Sequence, residues 1–202
     1  MPTLIVAVCA LLTCAAGAQS LADWEFDGTG VWTMRGDVLV LEKAGVPGGP
    51  IRRPAALALF RGRSFEDVEF RIDVRSTAPA DLLVRDVLLI VGYQSPLRFY
   101  YIHLSAKTDA VHNGIFLVND ADRRRIDDGK ARARLTGQDW HRVRVVRRSA
   151  TGSIQVFFGD ETEPTLAATD RTLPSGRIGV GSFDETAEFR GLKFTTPTVN
   201  MP

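Results

Sequence analysis

The chain has 202 residues, with 25 Lys and Arg against 24 Asp and Glu, 45% hydrophobic residues and two cysteines. A formal net charge of +1 excludes recognition of nucleic acid by bulk attraction to phosphate, which needs a basic stripe or patch. Only Lys43, Lys107, Lys130 and Lys193 are lysines. The basic side is therefore almost all arginine, an excess that follows genome composition as well as function and is not by itself a binding signature.

The first element is a leader. Leu4 to Leu12 carries no charge, and Ala16-Gly17-Ala18 before Gln19 is a small-x-small cleavage pattern. The apolar run is roughly 15 residues, short of the ~20 a spanning helix needs, so residues 1–18 read as a signal peptide and not as an anchor. An exported protein, periplasmic or extracellular and without a membrane span after cleavage, is the expectation. Cys9 and Cys14 both lie in this segment. The mature domain, 19–202, would then have no disulfide, no thiolate nucleophile and no thiolate metal site. Leu11-Leu12-Thr13-Cys14 keeps a lipoprotein route open at Cys14, although Thr departs from the small Gly, Ala or Ser usual before the cysteine.

Beyond the leader no segment sustains a 3.6-residue apolar period, whereas short β-branched and aromatic runs recur between Gly, Pro, Asn and Asp clusters. Strands are predicted over 24–26, 31–35, 38–42, 56–60, 68–75, 87–93, 99–105, 114–119, 141–148, 153–159, 176–182 and 188–195. So many short strands with tight connections predict two packed antiparallel sheets, an all-β sandwich in a single domain. Alternation assigns faces. Val68, Phe70, Ile72 and Val74 go to the core, with Glu69, Arg71, Asp73 and Arg75 on the other face; Tyr100, Ile102 and Leu104 oppose Phe99, Tyr101, His103 and Ser105.

The second of those faces mixes aromatic and polar groups. Tyr101, His103, His112, Asn113, Asn119 and Arg123 would gather there if the strand at 114–119 returns antiparallel to the one at 99–105. A flat ring for the C–H face of a sugar, with planar polar side chains for paired hydroxyls, is what carbohydrate recognition needs. The plainer alternative makes Tyr101 a core aromatic and His103 a hydrogen-bonded sheet residue. A metal set of His103, His112 and Asp109 lacks a dense ligand motif. No Gly-x-Ser-x-Gly and no Gly-rich phosphate loop occur. Arg123-Arg124-Arg125 is flanked by Asp120, Asp122, Asp127 and Asp128, which reads as a solvated loop.

Four blocks carry a family likeness: Trp24-Glu25-Phe26 with Gly30 to Leu39, Phe65 to Arg75, Val91 to Tyr101, and Trp140 to Val145 with Ser175 to Phe194. Together they resemble the concanavalin A-like lectin/glucanase jelly roll, in its bacterial laminin G-like and 3-keto-disaccharide hydrolase-like branches. The resemblance implies a two-sheet antiparallel jelly-roll sandwich and an oligo- or polysaccharide partner. It also implies a structural calcium as the one cofactor, with Asp23, Asp27 and Asp184 as oxygen donors if the termini run side by side. Fold alone does not decide function. A non-catalytic carbohydrate-binding domain is the first expectation. The second is a glycoside hydrolase using Glu69 or Asp73 with His103 as acid/base, although the paired-carboxylate strand of laminarinase-type glucanases is absent. The third is a structural or adhesion domain.

Overall fold

The computed structural model describes residues 13–14, 19–46, 48–132 and 134–196. The expected leader lies outside them except for Thr13–Cys14 (β1), which pairs with Thr195 and Phe194. After a 3-10 turn at Leu21–Asp23 the chain alternates between two sheets. The strands are β2 (Trp24–Gly28), β3 (Val31–Arg35), β4 (Val38–Lys43), β5 (Ala56–Phe60), β6 (Val68–Ser76), β7 (Asp86–Ser95), β8 (Arg98–Ser105) and β9 (Gly114–Asn119). They continue as β10 (Arg124–Arg125), β11 (His141–Arg148), β12 (Ser153–Phe158), β13 (Leu166–Thr169), β14 (Arg177–Ser182) and β15 (Ala187–Thr195). The first sheet runs β13-β12-β11-β6-β15-β4-β3, with β1 added against β15; the second runs β10-β9-β8-β7-β14-β5-β2. Every pairing is antiparallel, and the connections that cross between sheets make this a jelly-roll sandwich.

The alternation read from the sequence holds in β6 and β8. Val68, Phe70, Ile72 and Val74 face Tyr100, Ile102 and Leu104 across one core, each such side chain contributing roughly 1.5–3 kcal/mol by leaving water. All twelve predicted strands form. β10 and β13 were not foreseen: β10 is two arginines in the segment read as a loop, and in β13 only Leu166 and Ala168 are buried, four residues giving too short a period to read.

Two glycines break the alternation and re-aim the side chains beyond them. Gly92 sits at φ 63°, inside a register shift between Val91 and Ser95. Leu89 and Val91 face the core, but Tyr93 is turned to the opposite face of the second sheet. Gly191, at φ 66°, does the same in β15: Phe189 precedes it and Leu192 comes after it in the core, a step of three and not two. Both positions favour a residue without a Cβ, since left-handed backbone strains other side chains.

Candidate functional site

The outer face of the second sheet is built by β8, β7 and β9. Phe99 and Tyr101, Leu88 and Ile90, Phe116 and Val118 form a second apolar cluster with Tyr93 and with Phe183, which lies just after β14. Tyr101 stacks on Phe116 with centroids 5.1 Å apart and planes at 13°, and His103 stacks on Phe183 at 6.1 Å. A strap covers this face. Ile51 packs against the cluster, the Arg52 N–H donates to Asp122 Oδ1 (2.8 Å), and the Arg123 N–H donates to the Arg52 carbonyl (3.2 Å).

The cover decides the fate of the expected platform. Tyr101 is 0% exposed, and its hydroxyl accepts from Arg123 Nη1 at 3.1 Å. Burial pushes the phenol pKa up even though the Arg123 charge pulls it down. As it stands the ring cannot stack on a sugar. Alternation shows which face a side chain takes; it does not show whether a loop lies over it.

Beneath the strap is a buried polar network. His103 Nε2 lies 2.9 Å from Asp86 Oδ2, and its Nδ1 lies 3.0 Å from the Val111 carbonyl. Both ring nitrogens face oxygen acceptors. Nδ1 must therefore donate, and either Nε2 or the carboxyl carries a further shared hydrogen. Asp86 also accepts from Ser182 Oγ and from the Phe183 N–H (3.1 Å). Asp86 and His103 are 1% and 2% exposed, so each is matched by partners where water is excluded.

The reachable groups stand around Phe183. Asp184 and Arg52 are exposed, and His112 and Arg123 are half-buried. The Arg123 guanidinium lies 4.2 Å and the Arg52 guanidinium 5.3 Å from the Phe183 ring centre. The surrounding protein and the charge of Asp86 hold the Asp184 carboxyl above its ordinary pKa, with His103, Arg52 and His112 pulling the other way. Burial and the neighbouring Asp184 and Asp86 raise Glu185 as well. His112 is fixed by Asp109, whose Oδ1 lies 2.8 Å from Nδ1. Burial pushes Asp109 up, but the Val111 N–H, His112 and Lys107 together hold it well below the usual carboxylate range.

Of the residues predicted from sequence, Tyr101, His103, His112 and Arg123 come together: His103 and His112 rings are 5.5 Å apart, and Tyr101 bonds Arg123. Asn113 and Asn119 do not join as ligand groups. Asn113 is 1% exposed at φ 50°, with Nδ2 donating to Thr108 Oγ1 and the Ala131 carbonyl, and so builds the turn into β9. Asn119 has the parity of Ile115 and Leu117, whose side chains face the core. Asp86, Ser182, Phe183 and Arg52 went unread. Asp86 opens the apolar run 87–91, and its partner is set by the β7–β8 pairing, which places Leu88 opposite His103.

The proposed hydrolytic set is not assembled. Glu69 and Asp73 alternate with core residues of β6 and so lie on the outer face of the first sheet, among arginines. His103 is on the outer face of the second. The whole sandwich separates them, and no single pocket can hold acid and base. The calcium donors do not fit either. The Asp23 carboxylate accepts from the Ser20 N–H and Oγ, Asp27 accepts from the Tyr93 hydroxyl and lies 3.6 Å from Arg53, and Asp184 stands beside Asp86. Among the described residues no group of three or more His, Cys, Asp or Glu could hold a metal. The His103, His112 and Asp109 alternative fails because both His103 nitrogens are already engaged.

No family model and no curated protein matches the chain. Solved structures do. The carbohydrate-binding module CBM66 from Bacillus subtilis superposes with a TM-score of 0.65 at 15% identity, over 86% of this chain and 96% of that one. The lectin from Bauhinia forficata in complex with GalNAc gives 0.54 at 16% identity, over 95% and 100%. The Ca2+/Man2-bound exoplasmic/lumenal domain of VIP36 gives 0.60 at 16%, over 93% and 86%. In strand order, sheet packing and these likenesses, the chain has the concanavalin A-like jelly-roll fold.

Proposed function

We propose that the chain is an exported, non-catalytic carbohydrate-binding domain, and that its glycan seats at the mouth around Phe183 and not on the ring of Tyr101. The observation that carries this reading is the convergence of the Arg52 and Arg123 guanidiniums over the Phe183 ring, with the Asp184 carboxylate next in the chain and His112 close enough to act on it. Guanidinium forks and an imidazole donate in fixed planes, and a carboxylate accepts, which is the combination that adjacent sugar hydroxyls satisfy. Beneath the mouth, Asp86 and His103 hold Phe183 and the turn carrying Asp184 in place through the Phe183 N–H and Ser182. That lowers the ordering cost of binding. The lectin and carbohydrate-binding neighbours support the same ligand class; export rests on the leader read from the sequence.

A glycan array with the mature chain tests the class, and Arg123→Ala and Asp184→Ala test the seat. Binding to at least one glycan, weakened about tenfold or more in each variant, is expected where a charge-assisted hydrogen bond is lost. Binding to no glycan would favour the adhesion alternative; unchanged affinity in both variants would remove the seat.

A further inference from the structure

The outer face of the first sheet carries a concavity of ≈ 390 Å³, walled by Arg71, Arg142 and Arg144 and by the turn Gly159–Thr162. The register across three neighbouring strands is unusual. Lys193 of β15 lies opposite Arg71 of β6, and Arg71 lies opposite Arg144 of β11. Like charges directly opposite on adjacent strands destabilise a sheet. The next row is Arg190, Asp73 and Arg142.

Among the described residues, two carboxylates answer these cations from within the rows and beside them. Arg71 and Arg144 each lie 3.7 Å from the same Glu69 oxygen. Arg142 lies 3.3 Å and Arg190 3.6 Å from Asp73. Four guanidiniums thus share two carboxylates, and only the Arg142 contact falls within hydrogen-bond reach. Arg144 is also held in place, its guanidinium 3.7 Å from the Phe157 ring centre. Glu161 in the wall does not neutralise the pocket, because it is engaged by Arg134 at 2.8 Å and by the Thr165 hydroxyl at 2.6 Å. Asp160, the other acid of this pocket, is exposed and has no side-chain hydrogen-bond or ion-pair partner among the described residues.

We propose that this arginine row is a second binding site, for a compact oxyanion (the carboxylate, sulfate or phosphate of a small charged ligand), with Arg71, Arg142 and Arg144 as its donors. Guanidinium forks match the planar or tetrahedral oxygens of such groups with paired, charge-assisted hydrogen bonds. The volume falls in the range of small-ligand pockets, about 300–1,000 Å³. It lies on the far side of the sandwich from the glycan mouth and stands independently of that reading.

Calorimetric titration at low ionic strength, with trigalacturonate, a sulfated disaccharide and inorganic phosphate as separate probes, distinguishes the sources of the oxyanion. At least one probe binds with 1:1 stoichiometry and weakens as salt is added. Arg142→Gln lowers its affinity about tenfold, the size of one charge-assisted hydrogen bond, and Arg71→Gln with Arg142→Gln lowers it further. Asp160→Asn raises it. Neutral-glycan binding is unchanged in all three. The proposal is overturned if no probe titrates, or if the double variant, folded by circular dichroism, binds as the parent does. Should the double variant not fold, failure of Asp160→Asn to tighten binding overturns it equally.

Discussion

The two outer faces of the sandwich begin from the same pattern and end in opposite states. On β6 of the first sheet, core residues alternate with Glu69, Arg71 and Asp73, and those charges remain at the surface, loosely paired. On β8 of the second, core residues alternate with Phe99, Tyr101 and His103, and a strap closes over them. A polar group's worth in this fold therefore depends on what covers it. Under the strap the Asp86–His103 pair must be fully matched because water cannot replace a lost partner. On the open face water and salt can stand in for almost any of them.

Deleting one polar group from each face should separate the two by the largest margin. Asp86→Ala, which strands His103, Ser182 and the Phe183 N–H, is expected to cost about 3–5 kcal/mol in urea unfolding, the range for breaking a buried pair. A loss below ~1 kcal/mol would mean that the covered face admits water. At the mouth, Arg123→Ala removes the contacts to Phe183, Phe116 and the Tyr101 hydroxyl. It is expected to weaken glycan binding while leaving the chain folded, with the loss read by calorimetry. Glu69→Gln on the open face is expected to shift stability by less than about 1 kcal/mol, as for exposed ion pairs; a larger effect would show that its shared contacts to Arg71 and Arg144 act as a network.

Protonation separates the same regions more finely. Asp109 and Asp170 are held below the ordinary 3.8: burial pushes both up, but the Val111 N–H, His112 and Lys107 in one case, and the Tyr100 hydroxyl and Thr172 in the other, outweigh it. The folded state therefore binds fewer protons than the unfolded one below about pH 4. Stability from these carboxylates is present above that pH and is lost as pH falls through their folded values. Asp184 runs the other way. Its folded pKa is raised above 3.8, so its ionisation costs stability once pH rises through that value. Asp184→Asn is expected to raise the thermal midpoint slightly at pH 7 while weakening glycan binding; a lowered midpoint would contradict the raised pKa. The smallest effect expected is that of a chelator. Asp23, Asp27 and Asp184 do not converge, so EDTA is expected to leave both the thermal midpoint and glycan binding unchanged.

How much was legible depends on the range of each signal. Strand alternation is local, so the faces of β6 and β8 could be read directly from 68–75 and 99–105. The bulges at Gly92 and Gly191 left no periodic mark before the flip itself, so the turn of Tyr93 to the outer face was not visible. The gathering of Tyr101, His103, His112 and Arg123 follows from the antiparallel return of β9 along β8: Tyr101 and His103 lie on β8, His112 stands just before β9 and Arg123 just before β10. Asp86, Ser182 and Phe183 were missed because their meeting depends on β7 lying between β8 and β14, a long-range pairing. Burial of Tyr101 was one of the two readings open from sequence, but the loop that covers it was not legible, because Arg52 is anchored by Asp122, 70 residues away in sequence.

Whether a glycan seats at the mouth around Phe183 is decided by titrating the isotopically labelled mature chain with a glycan taken from the array and tracking backbone and arginine side-chain resonances. Saturable shifts are expected at Arg52, His112, Arg123 and Asp184, with Arg71, Arg142 and Arg144 unmoved by a neutral glycan. Shifts confined to the first sheet's outer face, or absent from the Phe183 mouth while binding is plain, would contradict that seat.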